Sequence, residues 1–114
     1  MNALSGVSIE ETDTFAKAVK KLQKRFKNIE NDCNKFIDTI KTTDNLGTDL
    51  GGGVYKVRIA NSDKQTGKSS GYRLISYLKL IDNTLYLMYI YDKSDLDTVS
   101  EKQIDTLIKK TIIE

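Results

Sequence analysis

The amino-acid sequence predicts one α+β domain, in which an N-terminal helical hairpin packs on a small antiparallel sheet and a C-terminal helix follows. Apolar residues first recur at every third or fourth position, which is typical of amphipathic helices. From residue 54 the apolar period changes to two, which is typical of strands. The order of these patterns, without a linker or an internal repeat, indicates a single domain over residues 1–114.

The composition favours a soluble cytoplasmic protein. A chain of 114 residues has the size of one domain, and 39% hydrophobic with 30% charged residues is typical of globular proteins. No apolar stretch is long enough to span a membrane, and the first residues do not resemble a secretory signal. The lone Cys33 excludes an intrachain disulfide, which fits a reducing compartment.

Two helices and a short strand are predicted in the first part of the chain. A strand is expected near Val7–Ile9, and Asp13 or Thr14 is expected to cap the first helix. The apolar face of that helix consists of Phe15, Val19, Leu22, Phe26 and Ile29. A second helix over Glu30–Lys41 follows a short link, which predicts an antiparallel hairpin.

The second part of the chain predicts a three-stranded meander and a final helix. We expect a loop over Thr42–Gly53, which ends in three glycines. The predicted strands are Val54–Ala60, Tyr72–Leu80 and Thr84–Tyr91. Asp82 and Asn83 form a turn signal, and Ser100 with Gln103 forms a capping box for a helix that extends to Ile113.

The absence of histidine restricts the chemistry. It excludes Ser-His-Asp and Cys-His catalysis, His-ligated metal sites and histidine-based acid–base catalysis. With one cysteine and no carboxylate cluster of ligand-like spacing, the sequence predicts neither a metal nor another cofactor.

Basic residues are concentrated in the middle of the chain. Residues 51–79 carry six basic side chains and one acidic side chain, a net charge of +5, whereas residues 1–50 are balanced and residues 80–114 carry −3. A basic segment between neutral and acidic flanks suits a phosphate-binding surface. An ordinary solvated face is the alternative.

The predicted meander brings several of these cations together. Lys56 and Arg58 lie two residues apart and therefore project from the same face of a strand. Arg73 lies within the next strand, where we expect it at the surface, Lys68 lies in the loop between the two, and Lys93 follows the third strand. Such a cluster can cleave RNA without metal or histidine if the RNA's own 2′-hydroxyl attacks the adjacent phosphate, because arginine and lysine stabilise the charge that develops.

Three motifs resemble the RelE/HigB toxins of bacterial type II toxin–antitoxin systems, which belong to the RelE/ParE superfamily. They are Tyr-Lys-x-Arg from residue 55, Gly-Lys-Ser-x-Gly-Tyr-Arg from residue 67, and Tyr-x-Lys-Ser from residue 91. The helical segment FAKAVKKLQKRF precedes them, and a helix starting at Ser100 follows. The resemblance covers nearly the whole chain and preserves the order of elements.

The resemblance implies a ribosome-dependent mRNA interferase, which cuts mRNA in the ribosomal A site without metal and is neutralised by a cognate antitoxin. Carried over by position, the catalytic residues are Lys56, Arg58, Arg73 and Lys93. In this interpretation Arg73 stabilises the transition state, Lys68 positions a phosphate and Tyr91 stacks on a base. For Tyr91, a packed strand tyrosine is the alternative.

One departure and two alternatives accompany this interpretation. RelE uses a tyrosine of its C-terminal segment in catalysis, but the corresponding stretch here, Asp95–Ser100, contains none. The general acid and base are therefore unassigned. The same fold carries ParE-type gyrase poisons, which lack the basic cluster, and a toxin remnant could serve as a non-catalytic RNA-binding or corepressor protein.

Overall fold

Two helices and five strands are described over residues 6–64 and 71–95. The computed structural model describes residues 4, 6–64, 71–95, 102, 103, 106 and 109. In chain order the elements are β1 (Ser8–Glu11), α1 (Asp13–Gln23), α2 (Ile29–Asp38), β2 (Thr48–Gly51), β3 (Val54–Ile59), β4 (Tyr72–Lys79) and β5 (Thr84–Asp92). Short 3-10 turns at Thr43–Leu46 and Leu80–Asp82 precede β2 and β5.

The strands form one mixed sheet in the order β1-β5-β4-β3-β2. The predicted meander of β3, β4 and β5 is confirmed, with antiparallel pairing from Ile59 opposite Tyr72 onward. The short strand predicted near the N-terminus is also present, and it runs parallel to β5. The fold is therefore α+β, as predicted, with a wider sheet than the expected meander.

The prediction of a loop over Thr42–Gly53 was wrong in part, because this segment contains a 3-10 turn and β2. All four residues of β2 are exposed, so the strand has no apolar alternation that could reveal it. It is held by antiparallel pairing with β3, in which Thr48 lies opposite Lys56. A strand held by backbone hydrogen bonds alone leaves little signal in a hydrophobicity pattern.

The helix boundaries also differ from the prediction. Thr12, rather than Asp13 or Thr14, caps α1, since its Oγ1 accepts a hydrogen bond from the Phe15 N–H at 3.1 Å. The Thr12 N–H donates to the Leu87 carbonyl of β5, so pairing with the sheet fixes where the helix begins. Ile29 begins α2 instead of ending α1, and its side chain is completely buried.

The main core lies between the helices and one face of the sheet. The helices contribute Phe15, Val19, Leu22, Ile29 and Cys33. The strands contribute Ile59, Tyr72, Leu74, Leu78, Leu85, Leu87 and Ile90. Burial of this apolar surface provides the main driving force for folding. Desolvation, together with the nearby Asp32 carboxylate, raises the pKa of the Cys33 thiol to about 12.

The other face of the sheet carries a smaller buried cluster of Val54, Ile75 and Met88. The register of β4 and β5 shifts between Ile75 and Ser76, which places this cluster at a β-bulge. Bulges bend a strand and redirect its side chains. Partly buried tyrosines pack around the cluster.

Most of the predicted C-terminal helix, residues 100–113, lies outside the described residues; positions 102, 103, 106 and 109 have helical backbone. Among the helices described, none has the length and apolar character needed to cross a membrane.

Candidate functional site

The four residues predicted to be catalytic line one depression on the face of the sheet opposite the helices. Tyr55, Val57 and Ile59 contact the core, as the alternation of β3 predicts. Lys56 and Arg58 therefore point to the opposite face. The depression has a volume of about 290 Å³ and is lined by Thr48, Leu50, Lys56, Val57, Arg58, Arg73 and Lys93.

Strand register and a loop contact bring these cations together. Arg58 of β3 lies directly opposite Arg73 of β4. Lys93 follows β5, and its backbone N–H donates to the carbonyl of Gly71 at 3.0 Å. A Cβ atom on Gly71 would lie only 2.2 Å from the Ile59 carbonyl, so a glycine is needed where the chain enters β4.

Arg73 does not lie at the surface as expected, because the residue is only 6% exposed. Its Nη1 donates to the carbonyl of Tyr72 at 3.2 Å. The sequence pattern placed Arg73 correctly on a strand, but it could not show how closely the neighbouring side chains pack. A guanidinium anchored in this way is held in a fixed orientation, which suits the stabilisation of charge on a phosphate.

Tyr91 lies opposite Arg73 in the register of β4 and β5. The residue is 3% exposed, and its ring stacks on Tyr89 with the centroids 6.1 Å apart. Its buried hydroxyl has no hydrogen-bond partner in the described part of the chain. Burial raises the pKa of Tyr91, while the charge of Arg73 acts in the opposite direction. Stacking of Tyr91 on an RNA base stays a prediction.

Lys68 lies in residues 65–70, outside the described residues, so its predicted contact with phosphate is a prediction only. The residue before this segment is well anchored. Lys64 Nζ lies 2.8 Å from Oδ2 of Asp92, whose side chain is completely buried. Asp92 also accepts hydrogen bonds from the backbone and hydroxyl groups of Ser94.

Sequence reasoning missed Asp92 and Lys64, whose ion pair holds the end of β5 in place next to the depression. Asp92 ends β5 opposite Tyr72, directly before Lys93 and next to the strand position of Arg73. A carboxylate at the end of an apolar strand is the available signal, since a buried carboxylate requires a cationic or hydrogen-bonding partner. Its partner, 28 positions earlier in the chain, could not be identified from the pattern.

A second set of contacts fixes the chain just after β3. The carboxylate of Asp32 in α2 accepts hydrogen bonds from the backbone and hydroxyl of Ser62. Asp63 accepts two hydrogen bonds from Asn28. These contacts tie the chain beyond Arg58 to the helices. Within the described ranges, no group of three or more cysteine, aspartate and glutamate residues could hold a metal ion.

Comparison with known families identifies the family of this chain. A family model described as "RelE toxin of RelE / RelB toxin-antitoxin system" matches residues 7–112. The chain belongs to the RelE toxin family. No curated protein matches the sequence.

Solved structures show the same fold for this RelE-family chain. An arginine-to-alanine double mutant of the E. coli toxin RelE, in the free state, aligns with a TM-score of 0.53 at 12% identity, covering 96% of this chain and 98% of that one. The isolated E. coli RelE toxin aligns with a TM-score of 0.50 at 12% identity, covering 91% and 98%. At this identity the likeness establishes the fold and leaves the chemistry to the residues described above.

Proposed function

We propose that this RelE-family chain is a ribosome-dependent mRNA endoribonuclease, which cuts mRNA in the A site and is neutralised by a cognate antitoxin. The observation that carries the proposal is the convergence of Lys56, Arg58, Arg73 and Lys93 on one depression. Four cations in so small a space create a positive potential that favours the binding of an anion. A phosphate of an RNA strand is such an anion.

The proposed reaction needs no metal. The 2′-oxygen of a ribose attacks the adjacent phosphorus, and the bond from phosphorus to the 5′-oxygen breaks. The products are a 2′,3′-cyclic phosphate and a 5′-hydroxyl, with one proton leaving the 2′-oxygen and one reaching the 5′-oxygen. Arg73 is oriented to stabilise the phosphorane, since its guanidinium can bind two phosphate oxygens at once.

The other cations complete the proposed site. Lys56 and Arg58 approach the phosphate from β3, and Lys93 approaches from the end of β5. Binding to three cations makes the scissile phosphate easier to attack, because the negative charge that repels the 2′-oxygen is neutralised. In the family interpretation Lys68 positions a phosphate and Tyr91 stacks on a base. The ribosome supplies the mRNA, which puts the activity in the cytoplasm.

Mapping of mRNA 5′ ends after induction of the chain in bacteria tests the proposal. We expect new 5′ ends within translated codons, arrested growth, and no new ends when ribosome assembly on the mRNA is blocked. Inhibition of DNA supercoiling without mRNA cleavage would instead support a gyrase poison. Normal growth with intact mRNA, from a folded protein, would support a non-catalytic RNA-binding protein or corepressor.

A further inference from the structure

A second basic surface lies on the other side of Tyr91, along a groove between α1 and β5. The groove has a volume of about 650 Å³. Lys17 and Lys21 of α1 line one side together with Arg25, which follows the helix, while Tyr89 and Tyr91 line the other side from the strand. The proposed cleavage chemistry uses none of these three cations.

Lys17 and Lys21 form one stripe, because residues four apart in a helix project from the same face. They lie about 6 Å apart along the helix axis. That length is comparable with one phosphate-to-phosphate step of an extended RNA strand. Residues 13–27 carry six basic side chains and only one acidic side chain, Asp13, a net charge of +5. The net charge of residues 1–50 is zero, so it does not reveal this local excess of basic residues.

Two of the three cations are available to a ligand. Arg25 pairs with Asp95, with 2.7 Å between Nη1 and Oδ2. Lys17 and Lys21 are exposed, and in the described part of the chain neither has a carboxylate within ion-pair distance. Tyr89 is only partly buried, and it lines the groove together with the two lysines.

The groove and the basic depression are lined in part by neighbouring residues. Tyr91 lines the groove and is the register partner of Arg73, which lines the depression. One pair of neighbouring residues therefore separates the two surfaces. A strand bound in the depression can pass over this pair and enter the groove.

We propose that the groove binds single-stranded RNA that continues from the depression, with phosphates on Lys17 and Lys21 and a base on Tyr89. Surfaces for single strands combine a basic track with an aromatic platform, because every base can stack and every nucleotide carries a phosphate. The groove offers both. The inference rests on the proposed function, since it extends the path of the same substrate strand.

Binding of a 2′-O-methyl RNA 12-mer, which lacks the attacking hydroxyl, tests the inference without ribosomes. Its affinity for the whole chain would be measured by fluorescence anisotropy over a range of salt concentrations. We expect Lys17→Gln/Lys21→Gln to weaken binding about tenfold and to lower the salt slope by about 1.4, since each phosphate contact on a single strand contributes about 0.7. The matched control is Lys20→Gln/Lys24→Gln, which removes the same charge from exposed positions outside the groove lining.

A third variant tests the aromatic contact. Tyr89→Leu should weaken binding about tenfold without changing the salt slope, because stacking on a base releases no counterions. Weaker binding with an unchanged salt slope distinguishes a stacked base from general attraction between a basic helix and RNA. Thermal unfolding of each variant shows whether its fold is intact, and the exposed lysine variants are expected to melt with the wild type.

Three results would overturn the inference. They are equal weakening by both lysine pairs, equally tight binding of duplex RNA of the same length, and no RNA binding by the wild type. Equally tight binding of duplex RNA would assign the groove to folded RNA. An antitoxin complex weakened by the groove variants while RNA binding is unchanged would assign it to a protein. Because this assay involves no cleavage, its failure is distinguishable from the absence of ribosome-dependent mRNA cutting.

Discussion

Arg73 combines a structural and a proposed chemical role in one side chain. It is buried at 6% exposure and bonded to the Tyr72 carbonyl, yet it lines the basic depression. Removal of the side chain would therefore leave a void as well as an unneutralised phosphate. A test of its role has to separate loss of folding from loss of charge stabilisation.

Substitution of Arg73 should abolish most of the proposed cleavage. We expect Arg73→Lys to keep the fold and to lose on the order of 10²-fold in cleavage rate, the scale for loss of one oriented donor, since lysine cannot bind two phosphate oxygens in a fixed geometry. Arg73→Ala should lose at least as much and also melt at a lower temperature. Cleavage by ribosome-bound toxin and thermal unfolding measure the two effects. Full cleavage by a folded Arg73→Lys variant would remove the proposed role.

Replacement of Tyr91 by phenylalanine should stabilise the protein. The Tyr91 hydroxyl is buried without a hydrogen-bond partner among the described residues, and an unsatisfied buried polar group costs about 1–3 kcal/mol. We expect Tyr91→Phe to raise the free energy of unfolding by about 1 kcal/mol in urea titrations. Tyr89→Phe is the control, because Tyr89 is only partly buried. A lower stability would mean that the Tyr91 hydroxyl has a partner.

At the scale of elements, the junction between the first 3-10 turn and β2 positions the basic strand. Gly47 has a φ of +89°, and a Cβ atom there would lie 2.2 Å from the Lys56 carbonyl. The backbone of Gly47 therefore packs directly against β3 between Lys56 and Arg58, two of the candidate catalytic residues. Only glycine permits this approach.

Gly47→Ala should accordingly destabilise the protein and displace Lys56. Strain of this kind costs about 1–3 kcal/mol, and the clash with a backbone atom adds to it. Gly52→Ala is the matched control, since Gly52 also has a positive φ of 62° but has open space around it. Chemical denaturation of the two variants measures the difference. Equal stabilities would show that β3 yields to the added methyl group.

The ion pair between Lys64 and Asp92 predicts a pH-dependent contribution to stability. Burial alone would raise the pKa of Asp92, but hydrogen bonds from Lys64 and Ser94 hold it below its ordinary value of 3.8. A carboxylate with a lowered pKa in the folded state stabilises the fold above its unfolded pKa, and this stability is lost as pH falls through the folded pKa.

Asp92→Asn should therefore destabilise the protein most at neutral pH. We expect a loss of about 1.5–3 kcal/mol at pH 7, the usual range for a hydrogen bond to a charged group. The difference from the wild type should shrink as pH falls below about 4, because the carboxylate is then protonated first in the unfolded state and, at lower pH, in the folded state as well. Urea unfolding at several pH values measures this, with the exposed Asp38→Asn as the control for lost charge. A difference that does not change with pH would contradict the ion-pair account.

The sequence predicted those elements whose side chains alternate between core and solvent. β3 and α1 are examples, because Val57 and Val19 belong to regular apolar patterns. β2 was missed since its four exposed residues contribute only backbone pairing. The meander predicted, from residue spacing alone, that the four cations would lie close together. The burial of Arg73 could not be predicted, because it depends on side chains from other strands.

At the scale of the whole molecule, a chain with a net charge of only +2 carries two strongly basic regions, residues 13–27 and 51–79. The remaining residues are acidic on balance. A partner that neutralises the toxin can therefore recognise a local charge that the overall composition does not reveal. The simplest such partner is an acidic or amphipathic helix that covers the depression.

We expect the chain to copurify with the product of the adjacent reading frame, whose coexpression should restore growth. In the complex, acetylation of the exposed Lys93 should slow, while that of the exposed Lys41, outside the depression, should not. Mass spectrometry of the acetylated protein measures both. Failure to form a complex, together with failure to restore growth, would contradict the antitoxin assignment. Unprotected Lys93 in a stable complex would contradict only occlusion of the depression.

The buried thiol of Cys33 can report how often the core opens. It is the only cysteine in the chain, it is 6% exposed, and its pKa of about 12 keeps it protonated at neutral pH. Since the thiolate is the reactive form and the side chain is buried, alkylation is expected to be fastest when the core between the helices and the sheet opens. The rate of labelling under native conditions therefore reads out how often that core opens, without denaturant and without an engineered probe.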